Sequence, residues 1–337
     1  MAKSALICGI SGQDGSLLAR HLLSLGYRVA GTSRDGDMMR AANLERLGIR
    51  DAVSIHSMAT ADFRSIIQTL DRLEIDELYN LSGQSSVGLS FDQPVETMDS
   101  IAGATLTLLE AIRFLGRPMR FYNAGSSECF GDIGDTPATE ETPFKPRSPY
   151  AVAKATAHWT VANYREAYGL FACTGILFNH ESPLRPERFV TQKIVRGAAD
   201  IAAGRRDTLL LGNLDIWRDW GWAPEYVEAM HLILQQEEPG DFIIATGRTT
   251  SLEEFVAAVF AEHGLDWRRH VVSDPALIRP ADLRYSGASP QKARERLGWQ
   301  ARTTATDVAR RMAASGAGDA GWLAGGPSPA LRSVGRG

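Results

Sequence analysis

The chain has few cysteines and histidines for its length. Its 337 residues include three Cys and seven His. Cys8, Cys129 and Cys173 are an odd, widely spaced set, which argues against a disulfide framework and predicts reduced, buried thiols. The histidines lack metal-ligand spacing, so no metal site is predicted.

Long apolar runs and a surplus of basic residues are also missing. No stretch approaches eighteen uncharged apolar residues, which argues against a membrane-spanning helix. With 36 Lys and Arg against 40 Asp and Glu, the net charge is −4. Nucleic acid and anionic membrane are therefore poor partners. We expect a cytoplasmic protein that acts on a small molecule.

A glycine-rich turn follows the first apolar run. Ser4–Cys8 is apolar, Gly9, Gly12 and Gly15 follow, and a helical pattern then begins. Glycines between a strand and a helix let the backbone approach a pyrophosphate held at the helix N-terminus. The G-x-x-G-x-x-G spacing differs from G-x-G-x-x-G, and a tight turn without a ligand is the alternative.

The second predicted strand, Arg28–Gly31, ends before Thr32-Ser33-Arg34-Asp35. An acid at this place selects NAD, whereas an arginine with hydroxyls favours the 2′-phosphate of NADP. Arg34 favours NADP as the cofactor, and Asp35 leaves NAD open. A solvated loop charge is the alternative for either residue.

Helix and strand patterns alternate through the first half of the chain, over Met38–Leu47, Ala52–His56, Phe63–Leu73, Glu77–Leu81, Pro94–Phe114 and Met119–Ala124. This alternation predicts an α/β fold with a Rossmann-type doubly wound parallel sheet. From Asn179 onward the sequence is polar and proline-punctuated, which indicates a smaller C-terminal substrate-binding domain. The segment after Ala313 is rich in Gly, Ala, Ser and Arg and is predicted to be disordered.

The stretch from Asn123 to Lys154 has the pattern of an active site. Ser126 and Glu128 follow a predicted strand, where a ligand crevice normally opens. Tyr150 and Lys154 lie four apart on a predicted helix and share one face. An adjacent ammonium stabilises a phenolate, so Tyr150 is a candidate base. A helix start with a solvated lysine is the alternative.

Longer strings add a family resemblance. The chain resembles the extended short-chain dehydrogenase/reductases that modify nucleotide sugars, and among them the GDP-mannose 4,6-dehydratase family. The likeness covers roughly residues 4 to 312. Its most specific strings are Gly-Ile-Ser-Gly-Gln-Asp-Gly-Ser at 9–16, Ser-Pro-Tyr-Ala-Val-Ala-Lys at 148–154, Gly-Ile-Leu-Phe-Asn-His-Glu-Ser-Pro at 175–183, Leu-Gly-Asn-Leu-Asp at 211–215 and Arg-Asp-Trp-Gly at 218–221.

The resemblance implies roles for individual residues. It implies a catalytic set of Ser126, Glu128, Tyr150 and Lys154. It implies NADP binding by Gly9, Gly12, Gln13, Asp14, Gly15, Arg34, Leu81, Tyr150, Lys154, His180 and Arg185. It implies GDP-sugar binding by Ser86, Asn179, Val190, Lys193, Arg218 and Arg279.

The resemblance also implies the reaction and the organisation of the chain. The implied cycle oxidises C4 of GDP-mannose, eliminates water across C5 and C6, and returns the hydride to C6. Residues 1–178 would mainly bind NADP and residues 179–312 mainly the GDP-sugar, with some strands returning to the first sheet. Residues 313–337 would form the disordered tail, and the assembly would be a homodimer.

The sequence departs from the family pattern at several places. Ser126 replaces a threonine, and the adenine-pocket region reads His56-Ser57-Met58-Ala59. The basic loop after the second strand is reduced to Ser33-Arg34-Asp35-Gly36. Three further replacements lie near the sugar-diphosphate region: Pro186, Gln192 and Trp217. Two alternatives therefore stay open, a GDP-sugar 4-epimerase or 4-ketoreductase and a catalytically quiet NADP-binding protein.

Overall fold

The structure is a computed structural model that describes residues 2–36, 38–134, 136–278, 280–315 and 322. Arg279, which the resemblance assigns to the GDP-sugar, lies outside the described residues. Apart from residues 313–315 and Trp322, the predicted disordered tail also lies outside them.

The strands form one large sheet and two smaller ones. They are β1 Ser4–Cys8, β2 Arg28–Ser33, β3 Val53–Ser57, β4 Glu77–Asn80, β5 Arg120–Ser126, β6 Ala172–Leu177, β7 Asn179–Glu181, β8 Leu209–Leu211, β9 Trp217–Trp222, β10 Phe242–Ile244, β11 Thr249–Ser251, β12 Val271–Ser273 and β13 Tyr285–Ser286. The large sheet has seven strands in the order β10-β6-β5-β4-β1-β2-β3. All its neighbouring strands are parallel, which confirms the doubly wound fold.

Twelve α-helices lie in the described part of the chain, and several of them cover both faces of this sheet. They are α1 Gln13–Ser24, α2 Ala42–Arg46, α3 Phe63–Leu73, α4 Val87–Asp92, α5 Pro94–Met98, α6 Ala104–Leu115, α7 Pro149–Tyr168, α8 Val190–Ala202, α9 Ala223–Leu234, α10 Leu252–Glu262, α11 Gln291–Leu297 and α12 Ala305–Ala314. The α1 and α9 helices pack together in one core cluster, while α3, α6 and α7 contribute to another. Because both faces are covered, the inner strands β1, β4 and β6 are buried along their whole length.

A π-helical segment interrupts the helix that the apolar pattern predicts over Pro94–Phe114. Asp99–Gly103 is π-helical and joins α5 to α6. The widened turn packs against the loop after β4. A Cβ added to Gly83 would lie 2.7 Å from the carbonyl oxygen of Ser100. This close approach fixes one wall of the cleft described below.

The second half of the chain builds a smaller sheet around β9. Here β7 and β13 pair with β9 in parallel and β11 pairs with it antiparallel. The strand β7 thus lies at the start of the polar, proline-punctuated stretch that begins at Asn179. Residues of α8, α10 and α12 form a separate core cluster beneath it, while β10 joins the large sheet. Within the described residues, no helix is both long and apolar enough to cross a membrane.

Candidate active site

The glycine turn after β1 brings three backbone segments into close contact. Gly9 has φ +84°, and a Cβ there would lie 2.6 Å from the carbonyl oxygen of Leu81. A Cβ on Gly15 would lie 2.3 Å from the carbonyl oxygen of Gly9. The α1 helix begins after Gly12 without a side-chain cap, which leaves its first N–H groups available to an anion. The turn therefore fits the pyrophosphate of a dinucleotide.

The start of α1 is joined to the C-terminal half through His180. The Nε2 atom of His180 lies 2.9 Å from Asp14 Oδ2, and its Nδ1 atom lies 2.7 Å from the carbonyl oxygen of Phe178. Gln13 accepts a hydrogen bond of 2.8 Å from Ser182 Oγ. These contacts hold the glycine turn against β7 and bring Asp14 and His180 to the cleft.

Asp14 and His180 each shift the pKa of the other. Burial opposes the charge on Asp14, but the charge of His180 and its hydrogen bond outweigh it and lower the Asp14 pKa to about 2. Burial also opposes the charge on His180, yet Asp14 raises the His180 pKa above its ordinary value. Each side chain therefore favours the charged form of the other beside the glycine turn.

The α7 helix carries Tyr150 and Lys154 into the same cleft. Ser148 caps this helix by accepting a hydrogen bond of 3.1 Å from the backbone of Ala151, and Pro149 occupies its first turn. Lys154 Nζ donates to the carbonyl oxygen of Ala124 at 2.7 Å and lies 5.8 Å from the centroid of the Tyr150 ring.

Burial controls the ionisation of both side chains. It lowers the pKa of Lys154 to about 8. It raises the pKa of Tyr150, and the hydrogen bond with Ser126 acts in the opposite direction. The lowered Tyr150 pKa that the spacing predicts is therefore not what this geometry gives. The lysine reaches past the phenol to a backbone carbonyl, and desolvation dominates at the phenol.

Ser126 and Glu128 lie at the carboxyl end of β5. The strand extends to Ser126, and a 3₁₀ turn, Ser127–Phe130, follows. Ser126 Oγ caps the turn by accepting from the backbone N–H of Glu128 at 3.3 Å. Glu128 is half-buried and lines the cleft. The next residue, Cys129, is buried, and burial raises its thiol pKa to about 12, so it is no nucleophile.

The predicted cations of the C-terminal half lie in different surroundings. Arg185 lies 3.0 Å from Glu181, and its guanidinium carbon lies 3.9 Å from the centroid of the Phe189 ring. Arg218 is buried and donates to the carbonyl oxygen of Leu283 at 2.7 Å. Lys193 is half-buried on α8 and is not among the residues that line the cleft.

The fold brings most of the predicted side chains to one cleft at the carboxyl ends of the strands. The predicted residues that line it are Asp14, Leu81, Ser86, Ser126, Glu128, Tyr150, Lys154, Asn179, His180, Arg185, Val190 and Arg218. Arg34 is exposed directly after β2 and is not part of this lining. The turn beneath the cleft is formed by Gly9, Gly12, Gln13 and Gly15.

Sequence reasoning missed other residues of the cleft. They include Gln84, Ser85, Glu181, Arg188, Phe189, Thr191 and Trp220. Each follows or flanks a predicted residue along the chain. The Arg-x-x-Arg spacing at Arg185 and Arg188 was a usable signal, because residues on both sides of it were already predicted to bind ligands.

A doubly wound sheet, a glycine turn and a buried Tyr-x-x-x-Lys helix together define an NAD(P)-dependent enzyme of the short-chain dehydrogenase/reductase type. Comparison with known proteins narrows this class. The profile of the family described as GDP-mannose 4,6 dehydratase matches residues 6–312. The chain belongs to this family.

Relatives from distant organisms are similar over most of the chain. GDP-mannose 4,6 dehydratase 2 of Arabidopsis thaliana is 46% identical over 308 residues, covering 88% of this chain and 82% of the relative. The GDP-mannose 4,6-dehydratase of Vibrio cholerae is 41% identical over 346 residues, covering 93% of each chain.

Solved structures share the fold at lower identity. A dTDP-glucose 4,6-dehydratase from Streptomyces venezuelae with NAD bound has a TM-score of 0.81 at 21% identity, covering 92% of this chain and 95% of that one. A UDP-glucose 4-epimerase from Thermus thermophilus with NAD has a TM-score of 0.80 at 24% identity, covering 91% and 96%. These likenesses establish the architecture alone.

Proposed function

We propose that this protein converts GDP-D-mannose to GDP-4-keto-6-deoxy-D-mannose with release of water. The observation that carries the proposal is the position of Glu128 in the same cleft as Tyr150 and Lys154. A 4-epimerase or 4-ketoreductase needs the tyrosine and lysine but no second acid/base at C5. Family membership and the names of the relatives support the same choice.

The proposed first step uses Tyr150 as the base. Its phenolate takes the proton of the C4 hydroxyl and becomes the phenol, and Ser126 hydrogen-bonds the same oxygen. A nicotinamide cofactor held at the glycine turn would supply the redox chemistry, taking a hydride from C4 and giving it back at C6. Lys154, buried beside Tyr150, carries the positive charge that offsets the phenolate before the proton moves.

The proposed second step uses Glu128. A ketone at C4 acidifies the C5 hydrogen, which the Glu128 carboxylate takes. The same group then gives a proton to the C6 hydroxyl, which leaves as water. When the hydride is added at C6, C5 gains a proton that balances the one taken from the C4 hydroxyl. The overall balance is therefore loss of one water with the cofactor unchanged. A half-buried carboxylate at a strand end is suited to this transfer, because it is accessible from the cleft and removed from bulk water.

NADP is the cofactor in this proposal. The glycine turn, Asp14 and His180 fit the pyrophosphate region. Arg34, exposed directly after β2, is placed in sequence to meet a 2′-phosphate. Residues 1–178 mainly bind this cofactor and residues 179–312 mainly the GDP-sugar. Ser86, Asn179, Val190, Lys193, Arg218 and Arg279 are proposed to contact the GDP-sugar.

A homodimer is the proposed assembly. Large apolar side chains are exposed on α6 and α7, including Leu106 (47% exposed), Val152 (42%) and Trp159 (61%). A second copy that packs its own α6 and α7 against these helices would cover them. Sedimentation at micromolar concentration tests the assembly, and a tetramer as the dominant species would overturn it.

The decisive experiment divides the reaction between Tyr150 and Glu128. The parent, incubated with GDP-mannose, is expected to yield a product lighter by one water, with no net NADPH. Tyr150→Phe should give neither NADPH absorbance nor product. Glu128→Gln should oxidise C4, accumulate enzyme-bound NADPH and leave C5 without deuterium in heavy water. Epimerisation or net reduction at C4 by the parent, without water loss, would favour the alternative activities instead.

A further inference from the structure

Arg188 spans the mouth of the cleft. One wall there is the loop after β4, which contains Ser85, and the other is the segment before α8, which contains Arg188. Arg188 Nη2 donates to Ser85 Oγ at 3.3 Å, and both side chains are exposed. This hydrogen bond thus joins the two walls directly.

The charge of Arg188 is uncompensated within the described part of the chain. The other cleft cations have strong acceptors: Lys154 donates to Ala124 O at 2.7 Å, Arg185 lies 3.0 Å from Glu181, and Arg218 donates to Leu283 O at 2.7 Å. By contrast, no described carboxylate lies within 4.0 Å of Arg188, and its hydrogen-bond acceptor is a neutral hydroxyl. An anion entering the cleft would find this guanidinium available.

The ring of Phe189 holds two guanidinium groups near each other. The guanidinium carbon of Arg185 lies 3.9 Å from the ring centroid and that of Arg188 lies 5.1 Å from it. The ring attracts both cations, but the two cations repel each other. A phosphate oxygen near Arg188 would relieve this repulsion. The arrangement favours an anion over a neutral ligand.

The Arg188–Ser85 contact is also readily exchanged. It is long for a hydrogen bond and lies in solvent, where water competes for both partners. A guanidinium–phosphate contact is charge-assisted, commonly bidentate and roughly twice as strong as a neutral hydrogen bond. The pyrophosphate of a dinucleotide would lie at the start of α1. Arg188 instead precedes α8, beside Val190, so the nearer diphosphate is that of the nucleotide sugar.

We propose that Arg188 is a substrate-binding residue that exchanges Ser85 for the diphosphate of the bound nucleotide sugar. The inference rests on the proposed function, since it takes the GDP-sugar as the ligand. It predicts that Arg188 contributes to substrate affinity and leaves the proton transfers at Tyr150 and Glu128 unaltered.

Calorimetric titration with GDP, guanosine and NADP tests the proposal on the full chain. Arg188→Gln should weaken GDP binding about tenfold or more, with guanosine and NADP binding unchanged. Arg188→Lys should recover part of the loss. Arg206→Gln, an exposed arginine on another surface, is the matched control and should bind like the parent. With GDP-mannose, KM should rise in Arg188→Gln while kcat stays within a few fold.

Ser85→Ala separates ligand binding from a purely structural role. It removes the contact that Arg188 exchanges but keeps the cation, so GDP affinity should stay equal or become a few fold tighter. If the Arg188–Ser85 contact only held the two walls together, Arg188→Gln and Ser85→Ala would lose the same affinity for GDP. That result would overturn the proposal. Equal GDP affinity in Arg188→Gln and the parent would overturn it as well, as would a loss confined to NADP. A parent that binds no GDP would defeat the proposed function itself.

Discussion

The two ends of the large sheet carry similar side chains in different states. At the amino end, Glu77 lies with two tyrosines and Lys3. At the carboxyl end, Glu128 lies with Tyr150 and Lys154. The two clusters contain the same kinds of side chain, because each combines a carboxylate, a phenol and an ammonium. They differ in their surroundings.

The amino-end cluster is saturated with internal hydrogen bonds. Glu77 is fully buried and accepts from Lys3 Nζ at 3.0 Å, Tyr27 Oη at 3.1 Å, Tyr79 Oη at 2.8 Å and Gln235 Nε2 at 3.1 Å. Burial and the Glu77 charge raise the pKa of Tyr27 and Tyr79. Three of these bonds go to Oε1 and one goes to Oε2, so the cluster is suited to holding strands and helices together.

The carboxyl-end cluster faces a cleft. Tyr150 is nearly buried, yet it lines the open space together with Glu128 and Lys154. Lys154 is held by one backbone carbonyl. Chemistry requires polar groups that the fold positions where a ligand can reach them. In a parallel sheet the carboxyl ends provide this, because the crevice opens there.

The largest expected effect is a loss of kcat when Lys154, but not Lys3, is replaced. Lys154→Met should lower kcat on the order of a hundred- to ten-thousand-fold, because the phenolate loses its compensating charge. Its stability should not fall, since burial already disfavours the charged lysine and lowers its pKa. Lys3→Met is the control at the other end and should keep kcat. Steady-state kinetics with urea unfolding measures both, and a kcat loss in Lys3→Met equal to that in Lys154→Met would erase the distinction.

The next effect tests whether Arg34, which is not part of the cleft lining, contributes to cofactor affinity. Arg34→Ala should lower the affinity for NADP about ten- to a hundred-fold and leave the affinity for NAD unchanged. The exposed guanidinium after β2 is the proposed contact for the 2′-phosphate. Calorimetry with both cofactors measures the preference. Equal affinities of the parent for NADP and NAD would remove Arg34 from the site.

A smaller effect is expected at Glu77. Glu77→Gln replaces an acceptor of four hydrogen bonds by a group that both donates and accepts, so one or more buried donors lose their partner. We expect about 1–3 kcal/mol lower stability with kcat unchanged. Urea unfolding together with kinetics measures the two quantities separately. A kcat loss without a stability loss would show that the amino-end cluster takes part in the chemistry.

The smallest expected effect is a change in the pKa of one side chain, His180. The raised His180 pKa gives a contribution to stability that is complete below about pH 6.5 and is lost as pH rises through the folded pKa. The Asp14 contribution is present above about pH 4 and is lost as pH falls through about 2.

Asp14→Asn removes the charge that raises the His180 pKa. Burial then dominates, so the His180 pKa should fall below its ordinary value, and NMR titration of the imidazole resonances measures it. His158 is the internal control, because burial already lowers its pKa and Asp14 does not contribute to it. An unchanged His180 pKa would show that the pair does not set the charge at the glycine turn.

Much of the local structure follows from short-range chemistry. The strand Ser4–Cys8 and the helix Phe63–Leu73 have the bounds that the apolar pattern predicts. Tyr150 and Lys154 lie on one helix, as their spacing predicts, and this helix starts after the capping residue Ser148. Caps, turns and the helical period depend on residues a few positions apart, so they can be predicted from the sequence.

Other features depend on contacts between distant segments. The π-helical segment forms against the loop of Gly83, and β7 forms because Asn179–Glu181 finds β9 as a partner. The Met38–Leu47 pattern gives a helix only over Ala42–Arg46. None of these is visible in the local pattern.

By itself the sequence determined the doubly wound sheet, the glycine turn and the shared helix face of Tyr150 and Lys154, because periodicity and spacing act along the chain. Only the tertiary structure decided which charged groups are compensated. It buried Tyr150 so that its pKa rises, paired Arg185 with Glu181, and left Arg188 with a hydroxyl across the cleft. Desolvation and pairing depend on what surrounds a group in three dimensions, and residues far apart in the chain supply those surroundings.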